Sequence, residues 1–357
     1  MEKIRFGVIG CGNISRTHAN AIKGVGVAEL VACCDVVEDK AAAWAEEFEL
    51  GDSYHRDLDE MLARDDIQAV CVCTPSGMHA QHAIAAAQAG KHMLCEKPLD
   101  VTLKKIDDMI AAADAHNVKM AGVFQRRTYE STKRVREAVR TGKLGKLVIG
   151  DCYQKYFRSH EYYASGDWRA TWDLDGGGAL MNQGVHGIDL ILHLMGPVKR
   201  VSAMARRLVR NIAVEDTAVA ILEYENGALG VMEGTTSVTP GSGCEVEISG
   251  DNGTVGLSND TITKWEFPGS EEMEAEAEEK KEAEGTASDP LALAATGHTE
   301  HIRDLCQAIM EDREPAIPGR EARKAVELIK AIYKSSREGG VSVDLPLSYV
   351  DDGPGIG

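Results

Sequence analysis

A few residues stand out because their type and setting suit proton or charge chemistry. His186 lies four residues after Asn182 in GGGALMNQGVHGID (176–189), where three glycines lead into apolar residues at helical spacing. An imidazole there can act as an acid–base group near neutral pH or can be an ordinary packed histidine. The neighbouring Asn can orient a ring but supplies less field than a carboxylate would. Asn182, His186, Asp189 and His193 recur at i, i+4, i+7 and i+11, so a helix puts them on one face, with Asp189 and His193 expected to form a structural pair. Lys97 sits in CEKPL (95–99), after an apolar run and before a proline whose peptide bond can be cis. A lysine in that setting is costly unless it pairs with Glu96, a cofactor or a substrate hydroxyl; the alternative is a surface lysine.

The elements that must position these residues follow from apolar periodicity. Residues 4–10, 29–35, 69–74, 92–98 and 118–124 read as strands, with helices over 14–23, 80–89 and 103–115 and an Ala-rich helix running through Phe48. Apolar strands alternating with helices predict a parallel, doubly wound sheet. In GVIGCGNIS (7–15), Gly10 and Gly12 stand at the first strand-to-helix turn, with Ser15 in place of a third glycine. That context suits a dinucleotide: its pyrophosphate would rest on the helix start at Asn13 and Ile14, and Asp35 would accept the ribose hydroxyls. Val36 and Val37 follow Asp35, with no arginine to receive a 2′-phosphate, so NAD is favoured over NADP. CTPSGMHA (73–80), with Thr74, Pro75 and His79, ends another strand at the ligand-binding carboxyl edge, the edge that also carries Glu96 and Lys97.

After residue 125 the pattern changes. A helix over 131–140 and a strand over 146–157 precede the glycine-led helix. Strand-like runs then follow one another at 198–208, 216–224, 228–237, 244–249 and 261–267. Asn226-Gly227 marks a hairpin between two of them. The series predicts an open, mostly antiparallel sheet in a second α/β domain over 125–357, after a Rossmann domain over 1–124. Two further helices, near 299–310 and 320–335, are candidates to pack back on the first domain.

The 357 residues carry a net charge of −18, which disfavours nucleic acid and anionic membrane as partners. The acidic run over 271–284 reads as a solvated segment without chemistry, and with GTASDP (285–290) as a surface excursion. The cysteines, nine in all with none in a CxxC pair, fit reduced buried thiols rather than a disulfide framework or zinc site. Met1 leads straight into a strand, and no apolar run approaches membrane-spanning length. A cytoplasmic protein is therefore expected.

Taken in order, GVIGCGNIS, Asp35, TPSGMHA, EKP, GDWRATW, GGGALMNQGVHGIDL, VEDTAVAILEYENGALGVMEGT and GREARKAVELIKAIY resemble the glucose–fructose oxidoreductase / inositol dehydrogenase / rhizopine-catabolism (Gfo/Idh/MocA) family along nearly the whole chain. The resemblance implies a homodimer or homotetramer built on the outer face of the second sheet. It also implies that Lys97 contacts the reacting hydroxyl and His186 is the acid–base histidine. Asn182 stands where many members carry Asp. Trp168 and Arg169 match a pair near the substrate in some members, and Gln125, Tyr156, Arg158 and Tyr163 are further substrate-binding candidates.

The implied reaction is hydride transfer from a carbinol carbon to NAD, with His186 moving the proton and Lys97 stabilising the developing alkoxide. The neutral Asn182 leaves open a shared role for Lys97. The expected substrate is a sugar, a sugar derivative (glycoside, anhydrosugar or UDP-sugar) or a cyclitol, with C3 oxidation suggested by the Asn form of the motif. Two alternatives stand beside it: an NAD-recycling, redox-assisted glycosidase and a non-catalytic cofactor-binding regulator. No metal is expected.

Overall fold

The computed structural model describes residues 3–271, 290–349 and 352–355, and the chain divides into two compact units. Positions 272–289, with nearly all of the acidic run and the excursion expected there, lie outside the described residues.

The first unit comprises Met1–Gln125 and Ala294–Arg323. Strands β1 Ile4–Ile9, β2 Ala28–Cys34, β3 Tyr54–His55, β4 Ala69–Val72, β5 His92–Cys95 and β6 Met120–Gly122 pair in parallel, in the order β3-β2-β1-β4-β5-β6. Helices α1 Asn13–Lys23, α2 Glu38–Glu47, α3 Leu58–Leu62, α4 His79–Gln88 and α5 Leu103–Ala115 alternate with them. The chain crosses from one side of β1 to the other between β3 and β4, so the carboxyl ends of β1 and β4 flank the topological switch point, where open α/β sheets bind ligands. Phe6, Val8, Cys33, Cys71 and Leu94 fill the core together with Ile302, Leu305 and Cys306 from the C-terminal part of the chain. All nine cysteines are buried free thiols, among them Cys33, Cys34, Cys71, Cys73 and Cys95 of the apolar strand runs.

The second unit comprises Arg126–Leu293 and Lys324–Gly357. It holds α6 Glu130–Arg140, β7 Leu147–Lys155, α7 His160–Ala164, α8 Val185–Met195, β8 Val198–Arg206, β9 Thr217–Tyr224, β10 Leu229–Thr235, β11 Gly243–Gly250, β12 Thr254–Ser258 and β13 Thr261–Glu266. Helices α9 Pro290–Met310 and α10 Gly319–Arg337 run from one unit's residues into the other's, and β14 Val343–Asp344 closes the series. The eight strands order as β13-β12-β11-β7-β10-β9-β8-β14, antiparallel except where β10 runs parallel to β7. Gly227, at φ 86°, takes the left-handed position in the β9–β10 hairpin, and its N–H donates to Tyr224 O at 3.0 Å.

Burial alternates along β8 and β9, leaving one sheet face in solvent. That face carries Met204, Val219, Ile221 and Leu229, each about half exposed or more. The residues β3, α3, α7 and β12 escaped the periodicity reading because runs of two to five residues are too short for it.

Candidate active site

In the first unit, the turn after β1 is set by backbone demands. Gly10 has φ +92°, which strains any other residue, and a Cβ there would press on the Cys73 carbonyl at 3.0 Å. Gly12 differs: a Cβ on it would meet no atom within 4 Å, so packing by the chain does not require a glycine there. Gly12 caps α1 without a side-chain hydrogen bond, leaving first-turn N–H groups without a side-chain acceptor. This uncapped helix start beside an open glycine fits the pyrophosphate of a dinucleotide. Ser15 is buried; its Oγ donates to Gly12 O at 2.5 Å and accepts from Trp44 Nε1 at 2.9 Å, which explains how a serine serves in place of the third glycine.

Asp35 follows β2 half-buried. Its Oδ2 accepts from Cys11 N and its Oδ1 from Val37 N, both at 2.9 Å. The carboxylate is therefore held beside the glycine turn, with exposed Val36 and Val37 after it instead of a cation. Asn13 and Ile14 are exposed at the start of α1.

At the ends of β4 and β5, two of the expected cofactor-binding residues, His79 and Glu96, are engaged with other parts of the chain. His79 is 1% exposed, with Nε2 2.8 Å from Thr74 O and Nδ1 2.9 Å from Pro98 O. Both ring nitrogens are engaged in tying the Thr74-Pro75 turn to the CEKPL turn. Glu96 is also buried: His18 Nε2 lies 2.8 Å and His298 Nε2 3.1 Å from its Oε1, and Lys97 N donates to its Oε2 at 3.1 Å. Burial opposes ionisation of Glu96, but the bonds from His18 and His298 outweigh it and hold the carboxyl well below its usual range. Glu96 thereby fixes the backbone from which half-buried Lys97 emerges, ahead of a cis Lys97–Pro98 peptide. His18 and His298, distant from Glu96 along the chain, carry no local mark of being its partners. Gln125 packs under α9, where a Cβ on Gly297 would lie 2.5 Å from Gln125 Cβ.

In the second unit, Gly176 takes a left-handed turn position at φ 78°, its N–H donating to Thr171 O at 2.9 Å, while Gly177 and Gly178 meet close packing. A Cβ on Gly177 would lie 2.2 Å from Tyr333 Oη, and one on Gly178 only 1.8 Å from Glu215 O. Fully buried Glu215 accepts from Gly178 N and Leu180 N, each at 2.9 Å, and from Tyr333 Oη at 2.7 Å. Burial pushes its carboxyl up to about 7 against those donors. The glycines thus let the helix start dock on a buried carboxylate.

From there Ala179–Gly184 winds as a π-helix before α8 begins. Its i→i+5 bonding alters the offset of Asn182 from the residues of α8, so the four-residue polar stripe is not one straight face. Asp189 does not pair with His193. It is buried in a bidentate ion pair, receiving Arg127 Nε at 2.7 Å and Nη2 at 2.6 Å. His193 lies near Arg127 and Arg136, and burial together with those cations pushes its imidazole down to about 3. His186 is half-buried on the first turn of α8.

Asn182 is fixed by contacts that the sequence reading missed. Its Nδ2 donates to Asp175 Oδ1 at 2.7 Å, and its Oδ1 accepts from Gln183 Nε2 at 3.3 Å. The same Gln183 nitrogen donates to Tyr162 Oη at 2.8 Å, and Arg169 Nη1 donates to that hydroxyl at 2.7 Å. The Arg169 guanidinium stacks 4.4 Å from the Tyr162 ring centroid and 4.5 Å from that of Trp168. Arg158 lies 5.3 Å over Tyr162 and 5.9 Å over Tyr156, and Arg210 lies 5.1 Å over Phe157. Tyr163 Oη bonds Thr236 Oγ1 at 2.7 Å. Asn182, Trp168, Arg169, Tyr156 and Arg158 are thus connected within this unit, with Tyr162, Gln183, Asp175 and Arg210 as additions. A Trp-Arg pair amid tyrosines was the one signal available for them.

Two family models match the chain: "Oxidoreductase family, NAD-binding Rossmann fold" over residues 4–124 and "GFO/IDH/MocA C-terminal domain" over 132–256. Among solved structures, the WlbA dehydrogenase from Bordetella pertussis, in complex with NADH and UDP-GlcNAcA, is 34% identical. The match covers 97% of this chain and 100% of that one, with a TM-score of 0.84. The WlbA enzyme from Chromobacterium violaceum, in complex with the same two molecules, is 33% identical over 98% of each chain, also at a TM-score of 0.84. Myo-inositol 2-dehydrogenase from Thermotoga maritima is 30% identical over 265 residues, 72% of this chain and 75% of that protein.

Proposed function

The chain belongs to the GFO/IDH/MocA family of NAD-binding oxidoreductases, and on that premise we propose that it oxidises a secondary ring hydroxyl of an anionic sugar derivative. The observation that carries this reading is the set Arg158, Arg169 and Arg210. Among the described residues, all three guanidinium groups stack on aromatic rings and none forms an ion pair. Arg210 is only 9% exposed. In a chain of net charge −18, guanidinium groups held on aromatic rings and outside any ion pair are suited to a ligand's carboxylate or phosphate. The UDP-GlcNAcA bound by the two WlbA enzymes offers both groups and supports a sugar nucleotide over a neutral cyclitol.

NAD supplies the hydride acceptor when bound. Gly10, Gly12 and the α1 start at Asn13 and Ile14 would hold its pyrophosphate, Asp35 its adenosine ribose, and Thr74 and Pro75 the neighbouring stretch. His79 and Glu96 would act indirectly, by bracing those turns. His186 takes the hydroxyl proton, and Lys97 stabilises the oxygen as negative charge develops on it. Asn182 steadies the turn of helix that precedes His186. Gln125 of the first unit and Tyr156, Tyr163 and Trp168 of the second are proposed as further sugar contacts, and oxidation at C3 is proposed with them.

The test is NADH formation from UDP-sugars, UDP-sugar acids, levoglucosan and inositols, with the new carbonyl located by borodeuteride reduction and mass spectrometry. A preference for neutral inositols, or a label at another carbon, would overturn the respective part of the proposal. The exposed apolar sheet face around Ile221 is assigned to a homodimer or homotetramer contact, and Ile221→Glu should lower the mass seen by light scattering. Among the described residues no helix is long and apolar enough to cross a membrane, and a cytoplasmic setting is proposed with the rest.

A further inference from the structure

Asp175 took no part in the reading of the sequence, yet it is 3% exposed and both of its oxygens are used. Oδ1 accepts from Asn182 Nδ2 at 2.7 Å, and Oδ2 accepts from Ala170 N at 2.8 Å. Ala170 holds a positive φ of 54° directly after Arg169, a conformation that a non-glycine residue keeps only when its surroundings impose it. The Asp175 bond to the Ala170 amide is one such constraint. The remaining contacts close a ring. Arg169 donates to Tyr162, Gln183 donates to the same hydroxyl and to Asn182, and Asn182 donates back to Asp175.

We propose that Asp175 is a positioning residue for the reaction. Its carboxylate locks the turn bearing Arg169 and the turn of helix ahead of His186 into one unit, so the anion-binding guanidinium and the proton-transfer helix keep a fixed spacing. The proposal rests on the reading of Arg169 and His186 given above.

The ring also accounts for asparagine at position 182. An aspartate there would set two carboxylate oxygens about as close as the present 2.7 Å bond, and they could coexist only by sharing a proton. Asparagine at 175 is no better in the wild-type background. Its single oxygen can serve Asn182 or Ala170, and its amide nitrogen must then face an N–H donor. Exchanging both residues repairs the pattern: an amide at 175 can accept from Ala170 and donate to a carboxylate at 182, which still accepts from Gln183.

The experiment compares Asp175→Asn, Asn182→Asp and the double exchange Asp175→Asn/Asn182→Asp with wild type. Turnover is measured on whichever sugar of the panel the wild-type protein oxidises best. Hydrogen exchange at the Ala170 amide reports on the ring without any substrate, and NADH affinity and melting temperature are followed in parallel. Each single variant should lose on the order of 100-fold in kcat/KM, the effect of misplacing reacting groups by about 1 Å. Part of that loss should fall on KM through Arg169. Ala170 exchange should quicken on the order of tenfold, NADH affinity should stay unchanged, and the double exchange should recover both turnover and protection. Faster Ala170 exchange with normal turnover would overturn the positioning role and leave Asp175 purely structural. Unprotected Ala170 in wild type would remove the ring itself. Restored turnover on a neutral sugar alone would uphold Asp175 while overturning the anionic substrate.

Discussion

Replacing Asp35 with Asn tests how the cofactor is chosen, because it removes a charge and keeps the shape. The carboxylate now accepts Cys11 N and Val37 N at 2.9 Å each, which aims it across the turn that follows β1. A hydrogen bond to a charged group contributes about 1.5–3 kcal/mol, so losing one such bond to the ribose diol weakens NADH binding roughly 10- to 150-fold. NADPH should lose nothing, and should gain from the removal of like-charge repulsion toward its 2′-phosphate. The ratio of the two affinities therefore falls by at least as much as NADH binding does. Titration of nicotinamide fluorescence with each cofactor gives both constants. The melting temperature of the cofactor-free variant separates this effect from loosening at Cys11. An unchanged preference between NADH and NADPH in a folded Asp35→Asn protein would refute the assignment of Asp35 to the ribose.

The two kinds of glycine should separate cleanly. Gly12→Ala should leave the melting temperature unchanged while weakening NADH binding. Gly178→Ala, whose Cβ would sit 1.8 Å from Glu215 O, should cost at least the roughly 1–3 kcal/mol typical of overpacking. Arg127→Met should destabilise by about 3–5 kcal/mol because Asp189 stays buried without its bidentate partner, and adding Asp189→Leu should recover most of the loss in denaturant unfolding. If the single variant unfolds like a surface change, the pair is not stabilising α8. Burial pushes His82 down to about 4 and His193 and His301 to about 3, so below the ordinary value of 6.5 the unfolded chain binds protons that the folded chain does not. Stability should therefore fall as pH drops from 6.5 toward 4, with each group's slope approaching about 1.4 kcal/mol per pH unit. A flat unfolding free energy across that window would contradict the neutral buried imidazoles.

The parts legible in the sequence were those carried by local pattern. Apolar runs spaced by helices gave the parallel sheet, and the glycine turn with Asp35 gave the dinucleotide edge, because the residues concerned meet through adjacent strands. The antiparallel series after β7 was legible for the same reason, helped by Asn226-Gly227. What stayed hidden depends on long-range closure. Arg127 and Asp189 are 62 residues apart, and nothing local marks them as partners. His18 and His298 reach Glu96 from opposite ends of the chain. Gly177 and Gly178 read as a tight turn or a close approach to a ligand until Tyr333 and Glu215 are seen against them. The π-helix changed the offset of Asn182 from α8, so a stripe counted at 3.6 residues per turn overreached. The place of His79 at the sheet edge was legible, but the two backbone carbonyls that its ring nitrogens reach, Thr74 O and Pro98 O, were not.

We propose that three guanidinium groups, none in an ion pair among the described residues, select an anionic sugar for NAD-dependent oxidation. This selection is tested most directly by measuring kcat/KM for NADH formation on one matched pair, UDP-GlcNAcA and free N-acetylglucosamine, in wild type and in Arg210→Gln. A strong preference for the charged compound that shrinks in the variant is the predicted result. Equal use of the neutral sugar, or a preference untouched by Arg210→Gln, would contradict it.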